Sequence, residues 1–278
     1  MQQRLKAVSA ALAVVALAGC GGGGAPGTSD EAMGPTIGTY IDLADATSVD
    51  ITPLVFVVTD NAGSVSTGAA GTLARATDRV DGGPFAGDIN STRTEIDQDA
   101  GGTATLTRRD ATEHVRLIDS AGGVLGSVLG VLGQPTLGVD LPDGGVTING
   151  YSEVTIVDGN DVYALTGAAI VTANFDTALA DLELSDLDGT LTAGANAPIA
   201  VNNVAIVTST DNLINGSGAF SGGDISVSGS GITITANPDA EVTQGQFFGP
   251  LADEVGGVLI LDDTQGGDVL VIGRFVGD

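Results

Sequence analysis

The chain has 278 residues, and its 35 Asp and Glu outnumber nine Lys and Arg to give a formal net charge of −26. Because nucleic-acid binding depends on basic residues that neutralise phosphates, this balance argues against nucleic acid as a partner. The 43 glycines, the scarcity of aromatic residues and the short runs of Val, Ile, Leu and Ala are typical of many short strands joined by tight turns.

The first 20 residues have the layout of an export signal. Arg4 and Lys6 precede an apolar run over residues 7–17, which is shorter than the roughly 20 residues that a membrane-spanning helix needs. The run ends in Leu-Ala-Gly-Cys20, which resembles the lipobox of bacterial lipoproteins, whose Cys is acylated and becomes the mature N-terminus. We therefore predict a signal peptide over residues 1–19 and lipidation of Cys20. The alternative is an ordinary secretory peptide with an accidental Cys.

The residues after Cys20 indicate a tether and a destination. Residues 20–33 contain four consecutive glycines and little that could be buried, so we predict a flexible linker behind the acylated Cys. Gly21 stands where some bacterial lipoproteins have Asp, and by resemblance this favours transport to the outer membrane. We expect an outer-membrane lipoprotein on the cell surface, with a periplasmic-facing orientation as the alternative.

The next part of the chain is predicted to be a β-rich, handle-like domain over residues 34–141. The strand-like segments are residues 36–51, 54–58, 103–106 and 114–118. An apolar run broken by glycines follows at residues 122–135, and it suits either a short helix or an apolar linker. We place a domain boundary behind this run, so that residues 142–278 form the second domain.

Charge is distributed unevenly between the two halves. Without Arg4 and Lys6, seven Arg remain; six lie between Arg75 and Arg116, and residues 117–273 contain no Lys or Arg. The Arg cluster could dock an anionic partner, but the sequence favours cross-strand pairing with nearby acids. These acids are Glu95, Asp97, Asp99, Asp110 and Glu113. The acidic half could meet a cationic partner, although a well-solvated surface is favoured.

Residues 142–278 are predicted to form a soluble antiparallel eight-strand β-barrel. Strand-like runs occupy residues 146–157, 161–175, 178–185, 201–210 and 224–235, and the last alternates apolar residues with Ser and Thr. Turn signals separate them at Asp158-Gly159-Asn160, Asp188-Gly189, Asn215-Gly216 and Gly222-Gly223. About eight strands in this length favour an up-and-down barrel or a sandwich. The polar alternate faces and the absence of Trp do not suit a membrane-embedded barrel.

The stretch from Gly245 to Leu261, GQFFGPLADEVGGVLIL, predicts a corner of this barrel. A strand should end at Phe248, Gly249-Pro250 should turn the chain, and residues 251–255 should form one helical turn. Gly256-Gly257 should then release the chain into another strand. Of the two adjacent Phe, one should point inward and the other outward or beneath the helical turn.

Residues with catalytic or ligating chemistry are sparse. His114 is the sole His, and its position in a strand favours a surface residue over a general base. Haem ligation by His114, Tyr40, Tyr151 or Tyr163 competes with ordinary strand packing, which is favoured. Acidic segments at residues 158–161, 186–189 and 262–268 offer oxygen ligands for calcium, but turn formation explains them better. We predict neither an enzyme nor a metal or cofactor site.

The corner sequence also resembles a signature of the barrel domains of transferrin-binding protein B and its relatives. The matched positions are Gly245, Phe247, Phe248, Gly249, Pro250, Ala252, Glu254, Gly256 and Gly257. The segments LTGAAIVTANFDTALADLEL and INGSGAFSG are similar to further family elements, whereas the closing VIGRFVGD departs from the usual ending.

This resemblance implies a handle domain paired with an eight-strand barrel, on a lipoprotein that many bacteria display through an outer-membrane translocon. Such relatives bind host transferrin, lactoferrin, haemoglobin, haem or complement regulators. We therefore expect a lipid-anchored protein that captures an iron-related protein, haem or another solute. A TonB-dependent receptor or a surface translocon would be an additional partner. The alternative is a structural or adhesive envelope lipoprotein without a tight ligand. No ligand contacts carry over, because they lie on loops without a match here.

Overall fold

The structure is a computed structural model that describes residues 35–278 apart from short gaps. The gaps are 43–47, 53–54, 61–63, 75–78, 82–86, 90–94, 99–102, 109–111, 119–127, 159–160, 194–198, 209–211, 215, 217, 223–224, 230–231, 234–239 and 264–268. Side chains before residue 130 are described at positions 79, 81, 87 and 88, and most of those after it are described as well. The predicted signal peptide, Cys20 and the tether lie outside the described residues.

The described residues of the first half of the chain form ten strands. They are β1 (Pro35–Asp42), β2 (Ser48–Thr52), β3 (Val55–Asp60), β4 (Ser64–Ala74), β5 (Arg79–Asp81), β6 (Gly87–Ile89), β7 (Glu95–Gln98), β8 (Thr103–Arg108), β9 (Thr112–Ile118) and β10 (Val128–Gly133). Eight of them pair in the order β1-β10-β9-β8-β7-β6-β5-β4, and β4 returns to β1 to close the circuit. Strands β2 and β3 form a separate two-stranded sheet. The sequence predicted a β-rich region here but not its closure.

Two predictions for this half are wrong. The single strand expected over residues 36–51 is two strands, because β1 ends at Asp42 and β2 begins at Ser48. In the glycine-broken apolar run, residues 128–133 form β10, which is neither helix nor linker. Val131 and Leu132 are neighbours and both are fully buried. A strand that is covered on both faces loses the alternation of polar and apolar residues, so its periodicity does not distinguish it from a buried helix.

In the second half, the residues that the structure describes form eleven strands. They are β11 (Gly145–Asp158), β12 (Asp161–Asn174), β13 (Leu179–Ala193), β14 (Ile199–Thr208), β15 (Asn212–Ile214), β16 (Ala219–Gly222), β17 (Ile225–Gly229), β18 (Ile232–Thr233), β19 (Ala240–Phe248), β20 (Glu254–Asp263) and β21 (Val269–Gly277). Their order is β12-β11-β21-β20-β19-β16-β15-β13, and β12 also pairs with β13. Eight strands therefore make a closed antiparallel circuit, which confirms the mainly β fold and the predicted eight-strand barrel. Strands β14, β17 and β18 extend the sheet from β13.

Alternate residues of these strands fill the barrel with aliphatic side chains. In β12, for example, Leu165, Ala169, Val171 and Ala173 are buried members of the barrel core. The largest core cluster combines such residues from β11 to β21 with Phe220, Phe247 and Phe275. Because successive side chains of a strand point to opposite faces, the outward positions stay available for contacts outside the barrel.

One strand prediction and one turn prediction in this half are also wrong. The run over residues 224–235 is a hairpin of β17 and β18, paired at Ser228 with Thr233 and at Gly229 with Ile232, instead of one alternating strand. Asp188-Gly189 lies inside β13. A Cβ atom at Gly189 would come within 1.9 Å of the Ala164 carbonyl oxygen, so this glycine allows two strands to approach closely instead of making a turn.

The predicted domain boundary, between residues 141 and 142, falls between β10 and β11, and it stays a prediction. In the described part of the chain, no helix has the length and apolar character needed to cross a membrane. The two short 3₁₀ turns, Gly138–Asp140 and Pro250–Ala252, are three residues each.

Candidate functional site

The corner that the sequence singled out joins β19 to β20 at one end of the barrel. Gly249 turns the chain with a φ of 76°, and the 3₁₀ turn Pro250–Ala252 follows it. Leu251 and Ala252 have φ values of 63° and 56°. Left-handed residues with a Cβ atom cannot propagate a right-handed helix, so the helical turn predicted over residues 251–255 is wrong. Strand β20 begins at Glu254 instead.

The two adjacent Phe of the corner lie on opposite faces of β19, as the alternation predicts. Phe247 points into the barrel, where its ring centroid lies 5.1 Å from Phe175 and 5.6 Å from Phe220. Phe248 points outward and packs with Val131 and Val276 in a second buried cluster. One side chain thus fastens the barrel core, while the other fastens the barrel to β10 of the first sheet.

The glycines of the corner provide space for aromatic rings. Gly245 of β19 pairs with Gly257 of β20. A Cβ atom at Gly245 would lie 2.2 Å from the Phe220 ring, and one at Gly257 would lie 2.5 Å from the Phe275 ring. Gly256 and Gly257 therefore belong to β20 and do not release the chain from a helix, which corrects the prediction. Glycine is required here because two large rings lie directly on the backbone.

The segment after β10 clamps this corner with hydrogen bonds. The Thr136 hydroxyl donates to the Gly249 carbonyl oxygen at 2.8 Å, and the Thr136 amide donates to the Phe247 carbonyl oxygen at 2.9 Å. The Gly249 amide in turn donates to the Gln134 carbonyl oxygen at 3.0 Å. Further along, Leu141 is half-buried and packs against the barrel core. The corner and residues 134–141 therefore form one fixed structure.

An ion pair lies on the outer face of the barrel. The Arg274 guanidinium donates to the Glu153 carboxylate at 3.0 Å and 3.1 Å, from neighbouring strands β21 and β11. The Arg274 side chain is 3% exposed, whereas that of Glu153 is 31% exposed. The Nη1 atom of Arg274 has no hydrogen-bond partner in the described part of the chain. This ion pair holds the one basic residue of the acidic half in an inaccessible position.

Arg79 is the member of the predicted Arg cluster whose side chain the structure describes, so the predicted pairing with acids can be checked there. Its guanidinium contacts Asp81 at 2.8 Å and Asp88, on the adjacent strand β6, at 2.6 Å. For this residue the structure agrees with pairing between neighbouring strands, although with acids other than those predicted. The structure does not describe the side chains of the other five members, Arg75, Arg93, Arg108, Arg109 and Arg116.

The other candidate ligating residues do not converge. Tyr151 packs beside the Phe248 cluster and Tyr163 packs against the barrel core. The side chains of Tyr40 and His114, on β1 and β9, lie outside the description. Among the residues that the structure describes, no three His, Cys, Asp or Glu are grouped so as to hold a metal ion. The acidic segment 186–189 lies along β13 and does not form a loop.

The sequence analysis missed the exposed apolar side chains near the corner. Leu137, Val139 and Leu251 have most of their surface in solvent. Leu251 occupies a variable position of the signature, and the other two lie between the apolar run at residues 122–135 and the predicted domain boundary. The sequence offered one signal for this group: Leu251 is apolar, although it lies in a turn where Gly or Asn is the usual residue.

The chain matches no protein family model, and no curated protein matches its sequence. Among solved structures, its fold is similar to a mutant of transferrin-binding protein B, a vaccine antigen from Haemophilus parasuis. The TM-score is 0.53 at 15% identity, over 88% of this chain and 45% of that one. It is also similar to an intact transferrin-binding protein B with N and C lobes, with a TM-score of 0.51 at 13% identity, over 91% and 47%. The chain thus spans about half the length of these structures, and the resemblance predicted from the corner is confirmed as a shared fold.

Proposed function

We propose that this protein is a lipid-anchored binding protein of the outer membrane that captures a protein or an iron-related ligand at the cell surface. The observation that carries the proposal is the fold: about nine-tenths of the chain aligns with proteins whose names state that they bind transferrin. The lipobox at Cys20 supports it independently, because an acyl anchor holds such a receptor at the membrane. One acyl chain gives marginal binding, and two or more give a stable anchor.

The anchor is tested by labelling cells with a radioactive or clickable fatty acid. We expect the wild-type chain to take up label and the Cys20→Ala variant to take up none. Gly21→Asp is the matched control, since it should keep the label but redirect the protein away from the outer membrane. Label that persists in Cys20→Ala would remove the anchoring step.

Orientation is tested by adding protease to intact cells and to cells with a permeabilised outer membrane. A surface protein is degraded in both samples, whereas a periplasmic-facing protein is degraded only after permeabilisation. The control is a soluble periplasmic protein that must survive in the intact cells. Survival of the chain in intact cells would contradict display at the surface.

Ligand capture is tested with the purified, unlipidated protein immobilised on a sensor surface. Transferrin, haemoglobin and haem are passed over it, and we expect saturable one-to-one binding of one of them. An unrelated acidic β-barrel protein of similar charge is the reference surface. A chain that is lipidated and displayed, yet binds none of these and retains no stoichiometric partner from growth medium, would instead be a structural or adhesive lipoprotein.

A further inference from the structure

One end of the barrel carries a group of exposed apolar side chains. Among the residues whose side chains are described, the large apolar ones that are mostly exposed are Leu137, Val139 and Leu251, at 62%, 90% and 67%. Leu137 precedes the 3₁₀ turn Gly138–Asp140, and Val139 lies within it. Leu251 belongs to the second 3₁₀ turn, Pro250–Ala252, which lies beside the first. Single exposed apolar residues are ordinary, whereas grouped ones mark interaction sites. We call these three side chains the apolar tip.

Packing does not explain why Leu stands at position 251. Its φ of 63° and ψ of 21° place it in the left-handed region, which disfavours residues with a Cβ atom. Glycine adopts this conformation without strain. A buried side chain could compensate for the strain, but most of the Leu251 surface is in solvent. Strained residues that the fold does not require are concentrated at functional sites.

The apolar tip is held rigidly by the main chain beneath it. The Thr136 hydrogen bonds fix the start of the segment on the corner, and the Asp140 amide donates to the Leu137 carbonyl oxygen at 2.8 Å. At Gly138 a Cβ atom would come within 2.0 Å of the Gly216 carbonyl oxygen, so the turn lies directly on the β15–β16 loop. A preorganised surface loses less conformational entropy when a partner binds.

Exposed acidic side chains lie on the segments that carry the apolar tip and on a neighbouring loop. Asp140, Asp143 and Asp253 are exposed on the two segments that carry it. Asp176 is exposed on the β12–β13 loop, whose Phe175 amide donates to the Gly144 carbonyl oxygen at the same end of the barrel. The sole basic residue after position 116, Arg274, is buried. A cationic partner is therefore favoured over an anionic lipid surface or a second copy of this acidic chain.

We propose that the apolar tip is a docking site for a basic protein surface, on which apolar side chains are flanked by Lys or Arg. This inference rests on the proposed capture function, since it specifies the surface used and the chemistry of the captured protein. Asp140, Asp143, Asp176 and Asp253, which we call the acidic rim, would accelerate association in a salt-dependent manner. The three apolar side chains would determine how long the partner stays bound.

The test uses the unlipidated Cys20→Ala chain and fluorescent synthetic peptides of about 18 residues, which is five helical turns. One peptide is amphipathic with Leu and Lys, the second replaces Lys by Glu, and the third replaces Leu by Ser. Fluorescence anisotropy should detect saturable binding of the Leu and Lys peptide alone. Binding of the Leu and Glu peptide with equal affinity, or of the Ser and Lys peptide, would overturn the proposal.

Leu251→Gly should weaken binding of this peptide about tenfold, the effect of truncating one well-packed interface residue. Its circular dichroism should be unchanged and its melting temperature unchanged or raised, because the substitution removes backbone strain. The double variant Leu137→Ser with Val139→Ser should weaken binding as well, without altering the corner. Equal affinity of all three proteins would refute the assignment of the site.

The acidic rim is tested with the triple variant Asp140→Asn, Asp143→Asn and Asp253→Asn. We expect weaker binding at low salt and a shallower dependence on salt than in the parent chain. The matched control removes three exposed charges of β13 with Glu183→Gln, Asp186→Asn and Asp188→Asn. An equal loss in the control would mean that overall charge, not this rim, attracts the peptide.

Two further outcomes would assign the apolar tip to another occupant. Concentration-dependent dimers in sedimentation velocity that Leu251→Gly abolishes would indicate a second copy, and co-sedimentation with anionic vesicles that it abolishes would indicate lipid. The proposed function is separable from this inference. A natural ligand that binds wild type and Leu251→Gly equally would leave ligand capture intact and overturn only the docking site.

Discussion

Gly257→Ala tests the idea that the corner glycines are required by close approach. A Cβ atom at this position would lie 2.3 Å from the Gln244 carbonyl oxygen, 2.5 Å from the Phe275 ring and 2.8 Å from the Gly245 Cα atom. Ordinary contacts of a Cβ atom lie at 3.4–4 Å, so the first two atoms would have to move by about 1 Å and the third by about half as much. Two of the three belong to the backbone of β19 and cannot rotate away.

The expected cost follows from these distances. Overpacking of a well-filled core costs about 1–3 kcal/mol, and two immovable backbone contacts place this variant near the upper end. Replacing Gly by Ala in a strand returns about 0.5–1 kcal/mol of backbone entropy. We therefore expect a net destabilisation of about 2 kcal/mol and a melting temperature lower by about 4–8 °C for a chain of this size.

The assay is urea and thermal unfolding of the unlipidated chain, followed by far-ultraviolet circular dichroism. Gly216→Ala is the matched control, because a Cβ atom there would have no neighbour within 4 Å. This control should stay within about 0.5 kcal/mol of the parent chain. Equal unfolding midpoints for the two variants would refute the close-approach explanation.

Three other substitutions test the contacts around the corner. Phe247→Ala should destabilise the fold by about 3–5 kcal/mol in urea unfolding, and clearly more than Phe175→Ala, because Phe247 is fully buried and Phe175 only partly. Glu153→Gln should cost about 1–2 kcal/mol by leaving the buried Arg274 charge uncompensated, a value reduced by the partial exposure of Glu153. Combined with Arg274→Met the two effects should not add, and additive effects would show that the ion pair contributes nothing. Thr136→Val should cost about 1–2 kcal/mol by leaving the corner carbonyl without its hydroxyl donor. An unchanged melting temperature in this last variant would contradict the clamp.

The barrel could be predicted because half-buried antiparallel strands follow simple sequence rules. Ile225 and Val227 are buried while Ser226 and Ser228 are exposed, which is the alternation seen in the sequence. Phe247 and Phe248 separate to opposite faces for the same reason. One prediction failed because a glycine had two physical explanations. Gly189 fits a turn as well as a close strand contact, and only the distance to Ala164 decides between them.

The candidate site was harder to predict, because its features depend on contacts between distant segments. Thr136 gives no local sign that its hydroxyl will reach Gly249, which is 113 residues away in the sequence. Arg274 likewise gives no local sign of its pairing with Glu153, which is 121 residues away in the sequence. Closure of the first sheet depends on the long-range pairing of β1 with β10 and β4. Periodicity carries no information on such pairing.

Within the corner signature, buried positions that stabilise the fold lie a few residues from an exposed position that a partner could contact. Gly245, Phe247, Phe248 and Gly257 are buried, and each is explained by a ring, a close backbone contact or the junction with β10. None of them is available to a ligand. Leu251, at a variable position of the same signature, is exposed. In this chain these signature positions serve the fold, and we expect recognition of a partner to depend on variable positions and loops. A shared corner is thus evidence for the barrel, and the identity of the ligand must be tested at residues such as Leu251.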